Sequence, residues 1–191
     1  VNAPDDATLA AQALAGHKTA HRALMERHRG RVHRIALAHC GGDGDAALDI
    51  TQQAFIAAFA ALHRYDPARP FAHWLARITL NKARDHARRM TVRRWLTLSP
   101  PAHHQPPDPA PSADTALADK QELARAMAEI ARLPSLSRDV LILCGMEGMA
   151  QADVAALLGI TPKAVENRLR RARETLRAAL RDQVSRPVSP A

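Results

Sequence analysis

Asp153–Arg173 reads DVAALLGITPKAVENRLRRAR, and the stretch has the grammar of a helix-turn-helix that enters DNA. Val154, Ala155 and Leu158 supply a short helix with an apolar face, and Gly159 supplies the permissive backbone of a tight turn. Ile160 plugs the core behind that turn. Thr161 is placed to N-cap a second helix, Pro162 suits its first position, and Val165, Leu169 and Ala172 recur at helical spacing to hold it against the first. The opposite face carries Lys163, Glu166, Asn167, Arg170 and Arg171, side chains that pair with base edges and phosphates. A solvated basic surface helix would carry similar charges without needing the turn residues.

Composition supports a polyanionic partner. Hydrophobic residues make up 47% of the 191 and aromatics only 3%, so the cores are built from Ala, Leu, Ile and Val. The net charge is +8, and its placement says more than its size. Residues 82–94 hold six basic and one acidic side chain, residues 163–181 hold seven basic and two acidic, and the remainder of the chain is slightly acidic. Two separate basic elements predict two nucleic-acid contacts. Cys40 and Cys144 lie far apart in segments that read as helical, so the expectation is reduced thiols in a cytoplasmic protein. No stretch approaches the roughly 18 apolar residues of a membrane span, and the acidic beginning lacks a signal-peptide pattern.

The sharpest compositional break is Ser99–Ser112, SPPAHHQPPDPAPS, where Pro recurs too often for a helix or strand interior. It reads as an extended, mobile linker. Before it, Asp6–Arg94 shows helical periodicity with interruptions at Gly30, at Gly41–Gly44 and at Asp66–Pro70. After it, Leu117–Leu133, Ser137–Met146, Gln151–Leu158 and Pro162–Leu180 read as four helices separated by Pro134, Gly148 and Gly159. No run alternates as a strand does, so the fold class is all-α: two small helical domains joined by a Pro-rich linker, the second carrying the helix-turn-helix.

The first lobe is decided by DAALDITQQAFIAAFAALHRYDPARPFAHWLARITLNKARDHARR. Ile50, Ala54, Ala57, Ala58, Ala61 and Leu62 form a helical stripe, with Asp49, Gln52 and Gln53 on its polar side. Past the Pro-bounded loop, Phe71, Trp74, Leu75 and Ile78 begin a helix that grows basic through Lys82, Arg84, Arg88 and Arg89. An aromatic at the head of a basic helix can stack on an exposed base while the cations hold phosphates. A core role for the Trp is the competing reading.

These residues resemble the extracytoplasmic-function sigma factors of bacterial RNA polymerase. The family pattern D-x-x-Q-x-x-F-x-x-x-(F/W)-x-x-x-x-x-(F/Y) is similar to Asp49, Gln52, Phe55, Phe59 and Tyr65. The second pattern, W-L-x-R-I-x-x-N-x-x-x-D-x-x-R, is similar to Trp74, Leu75, Arg77, Ile78, Asn81, Asp85 and Arg88. LPSLSRDVLILCGMEGMAQADVAALLGITPKAVENRLRRARETL matches the family's second lobe, so the resemblance covers most of the chain outside the linker and the ends. It implies a region 2 domain at 1–95, a linker at 96–116, a region 4 helix-turn-helix domain at 117–185 and a tail at 186–191.

The resemblance also implies roles. Asp49, Gln52, Gln53, Phe55 and Ile56 would dock on the clamp coiled coil of the polymerase core. The loop Asp66–Pro70 and Trp74, Arg77, Asn81, Lys82, Arg84 and Arg88 would bind and help melt the proximal promoter element. Thr161, Lys163, Glu166, Asn167, Arg168, Arg170 and Arg171 would read the distal element as duplex. The partners implied are RNA polymerase core, promoter DNA and an anti-sigma factor, with the free chain a monomer that does not insert into membranes. Three positions depart from the family. Gln53 stands where Glu is usual, Ala76 where an aromatic often follows the Trp, and Glu166 where a basic or small residue is common; Glu166 would accept from cytosine N4 and repel phosphate.

Two rivals are weighed. A helix-turn-helix regulator that does not bind core polymerase would normally bring a receiver or ligand domain, whose strand pattern the first lobe lacks. A hydrolase or nuclease is prompted by ten His, but His17 and His21 have no Glu to complete HExxH, and His39-Cys40 is too sparse for a metal site. The expectation is a protein with no catalytic residues, no metal and no cofactor.

Overall fold

The computed structural model describes residues 3–97 and 114–184. Eight α-helices follow in chain order among the described residues: α1 (Asp6–Leu14), α2 (Lys18–His39), α3 (Gly44–Ala60), α4 (Phe71–Thr97), α5 (Asp114–Arg132), α6 (Ser135–Val140), α7 (Gln151–Leu158) and α8 (Pro162–Val184). A short 3-10 turn, Leu62–Arg64, follows α3, and a π-helical turn, Leu141–Met146, continues α6. The chain is all-α, as the periodicity predicts.

Local chemistry sets several helix ends. Asp5 caps α1 by accepting from the Thr8 amide at 2.8 Å, and Asp43 caps α3 by accepting from the Ala46 amide at 3.0 Å. Gly159 ends α7 in the left-handed region, at φ 69°, where a side chain would be strained. Gly30 does not interrupt α2, contrary to the sequence expectation. One helical Gly costs about 1 kcal/mol relative to Ala, and the packing of α2 against α1, α3 and α4 outweighs it. The break falls instead at Gly16, at φ 90° between α1 and α2.

Other boundaries move as well. The helix expected from Ser137 begins at Ser135, directly after Pro134, and changes to π geometry at Leu141. Helices α4 and α5 enter the 96–116 segment from both sides, because the prolines that forbid helix all lie between Pro100 and Pro111. The Ser99–Ser112 linker and the 186–191 tail lie outside the described residues.

The first lobe buries Leu24, Val32, Phe55, Leu62, Phe71 and Leu75 in a core of its own. The second does not close alone. Its core of Ile130, Leu133, Val140, Ile142, Val154, Val165 and Leu169 is continuous with Ile35 and Ala38 of α2 and Ala76 and Leu80 of α4. Burying an Ile or Leu contributes about 1.5–3 kcal/mol, so the joint is apolar and substantial. Gly41 marks how close the lobes come. At φ 67° it needs a left-handed backbone, and a Cβ there would sit 3.2 Å from the Ala131 Cβ of α5.

Burial has a consequence for the thiols. Desolvation, and then the Asp43 charge, push Cys40 up from 9.0 to about 11, with Arg138 opposing. Both cysteines are free. At pH 8 the Cys40 thiolate should be roughly 100-fold rarer than in the unfolded chain. Iodoacetamide labelling followed by mass spectrometry should therefore be slower by at least that factor in the native protein than in guanidinium, and equal rates would refute the buried placement.

Candidate nucleic-acid interface

The second-lobe site is built as its sequence predicts. Thr161 Oγ1 accepts from the Ala164 amide at 3.1 Å, which starts α8 with Pro162 in its first turn. Val165, Leu169 and Ala172 are buried, so the helix is held by one stripe and the rest of its surface faces out. Lys163, Glu166, Arg170 and Arg171 are exposed; Asn167 and Arg168 are half-buried at the edge of the face. A groove of about 490 Å³ runs between α6 and α8, lined by Leu136, Ser137, Thr161, Lys163, Asn167 and Arg171 among others. Two surface ion pairs cross the face, Lys163 to Glu166 at 2.8 Å and Arg170 to Glu174 at 3.1 Å. Exposed pairs of this kind contribute about 0–1 kcal/mol, so either exchanges readily for a DNA contact. Glu174 is the neighbour that sequence reading missed.

In the first lobe, Trp74, Arg77, Asn81, Arg84 and Arg88 fall on one stripe of α4, at steps of three and four residues. Arg77, Asn81 and Arg88 are exposed, and Lys82 sits half-buried beside the stripe. Arg88 pairs with Asp85. The loop ahead of α4 is held from within: the Tyr65 hydroxyl donates to the Arg69 carbonyl at 2.7 Å, and Asp66 accepts from the Ala68 amide at 3.0 Å. Trp74 is half-buried, with its ring 5.4 Å from Phe71 and 5.5 Å from Tyr65. Trp74→Ala should therefore lower the thermal midpoint by a few degrees. If the exposed part of the ring also stacks on an unpaired base, binding to pre-opened promoter DNA falls by a further 1–3 kcal/mol or so, while closed-complex formation suffers less. Equal losses on all DNA forms would remove the stacking role.

Arg84 is not free for DNA in this arrangement. Its guanidinium donates to Asp139 of α6 and lies near the Asn81 side-chain oxygen at 3.5 Å. Arg77, Leu80, Asn81 and Arg84 form one wall of a crevice of about 120 Å³, and Leu157 and Leu158 of α7 form the other. No sequence signal pointed to this contact.

The supposed docking helix α3 divides. Asp49 and Gln52 are exposed; Gln53 donates to Asp49 at 2.8 Å and accepts from Arg89 of α4 at 3.1 Å. Ile56 is 62% exposed. Phe55 is 5% exposed and packs in the first-lobe core beside Phe59, unlike the outward Gln52 and Ile56. Leu48, 61% exposed, joins Gln52 and Ile56 on one outward stripe. It was missed because an apolar residue inside an apolar helix reads as core. Of the histidines weighed for metal, His21 stacks edge-on against Phe59 with centroids 4.8 Å apart, and its Nδ1 lies 3.2 Å from the His17 carbonyl.

An all-helical chain with a helix-turn-helix in one lobe and a basic helix in the other defines a two-lobed DNA-binding protein. Comparison makes the class specific. The Sigma-70 region 2 model matches residues 24–93, and the Sigma-70, region 4 model matches residues 123–176. The chain is 38% identical over 188 residues to RNA polymerase sigma factor CnrH of Cupriavidus metallidurans, covering 93% of this chain and 96% of that one. It is 33% identical over 175 residues to ECF RNA polymerase sigma factor SigM of Mycobacterium tuberculosis, covering 90% and 82%. The solved structure of CnrH in complex with the cytosolic domain of CnrY matches with a TM-score of 0.69 at 36% identity, covering 93% of this chain and 97% of that one. The sigma factor RpoE, solved with the anti-sigma factor NepR from Bartonella quintana, shares the fold with a TM-score of 0.65 at 20% identity, covering 86% and 98%. The chain belongs to the extracytoplasmic-function sigma factors of the sigma-70 family, as its motifs imply.

Proposed function

We propose that this chain gives RNA polymerase its promoter choice by three surfaces, with no chemistry of its own. The outward stripe of α3, Asp49, Gln52 and Ile56 with Leu48, meets the polymerase core. The α4 stripe of Trp74, Arg77, Asn81, Arg84 and Arg88, with Lys82 beside it, holds and helps open the proximal element. The α8 face, from Thr161 and Lys163 through Glu166, Asn167, Arg168, Arg170 and Arg171, reads the distal element as duplex. Residues 1–95 and 117–185 act as the two functional domains. An anti-sigma factor restrains the chain, which works in the cytoplasm; CnrH and RpoE, both solved with such partners or a cytosolic partner domain, support that reading.

The observation that carries the proposal is the pairing of the outward, capped α8 with a basic α4 stripe on a separate lobe. Phosphate contacts position a protein and base contacts specify sequence, and two such elements suit two promoter elements. The test is reconstitution with core polymerase on promoter libraries. Addition of the chain should yield initiation from a discrete set of sequences, whereas DNA binding without any core-dependent transcription would favour a helix-turn-helix regulator.

A further inference from the structure

The exposed cations of α8 fall into two sets by their partners. Lys163 pairs with Glu166 at 2.8 Å and Arg170 with Glu174 at 3.1 Å. Arg171, Arg173 and Arg177 are exposed too, and among the described residues no carboxylate pairs with them. Glu174 stands in about the fourth turn of α8, opposite the buried stripe of Val165, Leu169 and Ala172 and on the side that carries Lys163, Asn167 and Arg170. The helix itself has no use for an acid there. Its distance from the N-terminus removes any benefit from the helix dipole, and an Arg preceding a Glu by four residues is the less favourable order for a helical pair. Its side chain is 56% exposed, so packing does not require it either.

We propose that Glu174 determines sequence choice by cancelling the charge of Arg170. The pair itself is weak, since both side chains are more than half exposed. Its charge is what counts: even swung aside, a carboxylate four residues along stays beside the guanidinium, roughly 5–6 Å away between Cβ atoms, and the local sum is near zero. A phosphate is drawn by net charge, so the paired Arg170 adds little to binding on an arbitrary sequence. A guanine edge is neutral and is recognised by aligned donors. Nη1 of Arg170 faces Glu174, and Nη2 and Nε keep their hydrogens for O6 and N7. Glu174 thus removes binding from wrong sequences and leaves it on the right one, and specificity is that difference. Arg171, Arg173 and Arg177 keep their full charge and hold any duplex. The inference rests on the reading of α8 as the face that meets the distal element.

The test uses the full chain and two fluorescein-labelled duplexes, one of mixed sequence and one enriched by the wild-type chain from a randomised library. Glu174→Gln keeps the size of the side chain and removes its charge. By anisotropy, this variant should bind the mixed duplex about three- to fivefold more tightly and steepen the log–log salt slope by roughly one, as Arg170 takes a phosphate. Affinity for the enriched duplex should change by less than about twofold, so discrimination falls. A merely damaged helix would lose binding on both. Glu122→Gln, at an exposed position of α5, removes the same charge elsewhere in the lobe and should leave both affinities unchanged. Adding Arg170→Ala to Glu174→Gln should return the slope to the wild-type value. An equal gain on both duplexes, no gain on the mixed one, the same gain from Glu122→Gln, or a steeper slope that survives the loss of Arg170 overturns the inference while α8 remains the reading face. Failure of the library to yield any preferred sequence removes the reading of α8 and this inference with it.

Discussion

Arg170→Ala should cost about 1–3 kcal/mol on the cognate distal element and flatten preference at one or two base positions. The side chain projects from the exposed face of α8 within one turn of Glu166 and Asn167, and it pairs with Glu174 at 3.1 Å. That surface pair is cheap to give up, so the guanidinium can turn to a guanine edge. Arg177 provides the contrast. It is exposed on the same helix but lies about 10 Å further along the axis at 1.5 Å per residue, where a recognition helix leaves the groove for the backbone. Arg177→Ala should weaken all sequences about equally and reduce the log–log salt slope by roughly one. Titration of each variant against single-base-substituted duplexes at several salt concentrations separates the two effects. If Arg170→Ala leaves every base preference intact, α8 does not read DNA in this register.

Core binding should respond to the apolar edge of α3. Leu48 and Ile56 are 61% and 62% exposed and flank Gln52 on one stripe, so replacing both with Arg removes little buried surface and should change stability by no more than about 0.5 kcal/mol per site. As anchors of an interface they would be worth about 2 kcal/mol or more together, roughly a 30-fold loss of affinity for core polymerase. Competition against a labelled wild-type chain for a limiting amount of core measures it. Asp49→Arg with Gln52→Arg tests the polar part of the same stripe and should also weaken association with the fold intact. Unchanged recovery of core by both double variants would move the docking surface elsewhere.

The two halves of the molecule differ in how much of this was legible beforehand. The helix-turn-helix was read correctly at Gly159, Thr161 and Pro162 because a turn and a cap are made by residues adjacent in sequence, and their chemistry is local. The apolar stripes of α3 and α4 were legible because helical periodicity sorts a helix into faces before anything packs on it. Periodicity did not single out Leu48, and Phe55 was assigned to the docking face by the family resemblance rather than by its place on the helix. Periodicity says that a helix has an inner face, and which apolar residues occupy it depends on where the neighbouring helices stand.

Taken by itself, the sequence determined the all-α class, the placement of the helix-turn-helix, the basic stripe of α4 and, through spaced motifs, the family. It could not determine that Gly30 stays helical, since a single Gly penalty is small beside tertiary packing. Nor could it show that the two lobes share a core. Arg84 and Asp139 are 55 residues apart, and Glu147 meets Arg31 and Arg34 across separations of 116 and 113. An acid in one helix carries no mark of which distant cation will neutralise it, because that partner is chosen by desolvation when the helices close. Only the tertiary structure decided that Asp139 would be buried, and burial is what makes its pairing with Arg84 necessary.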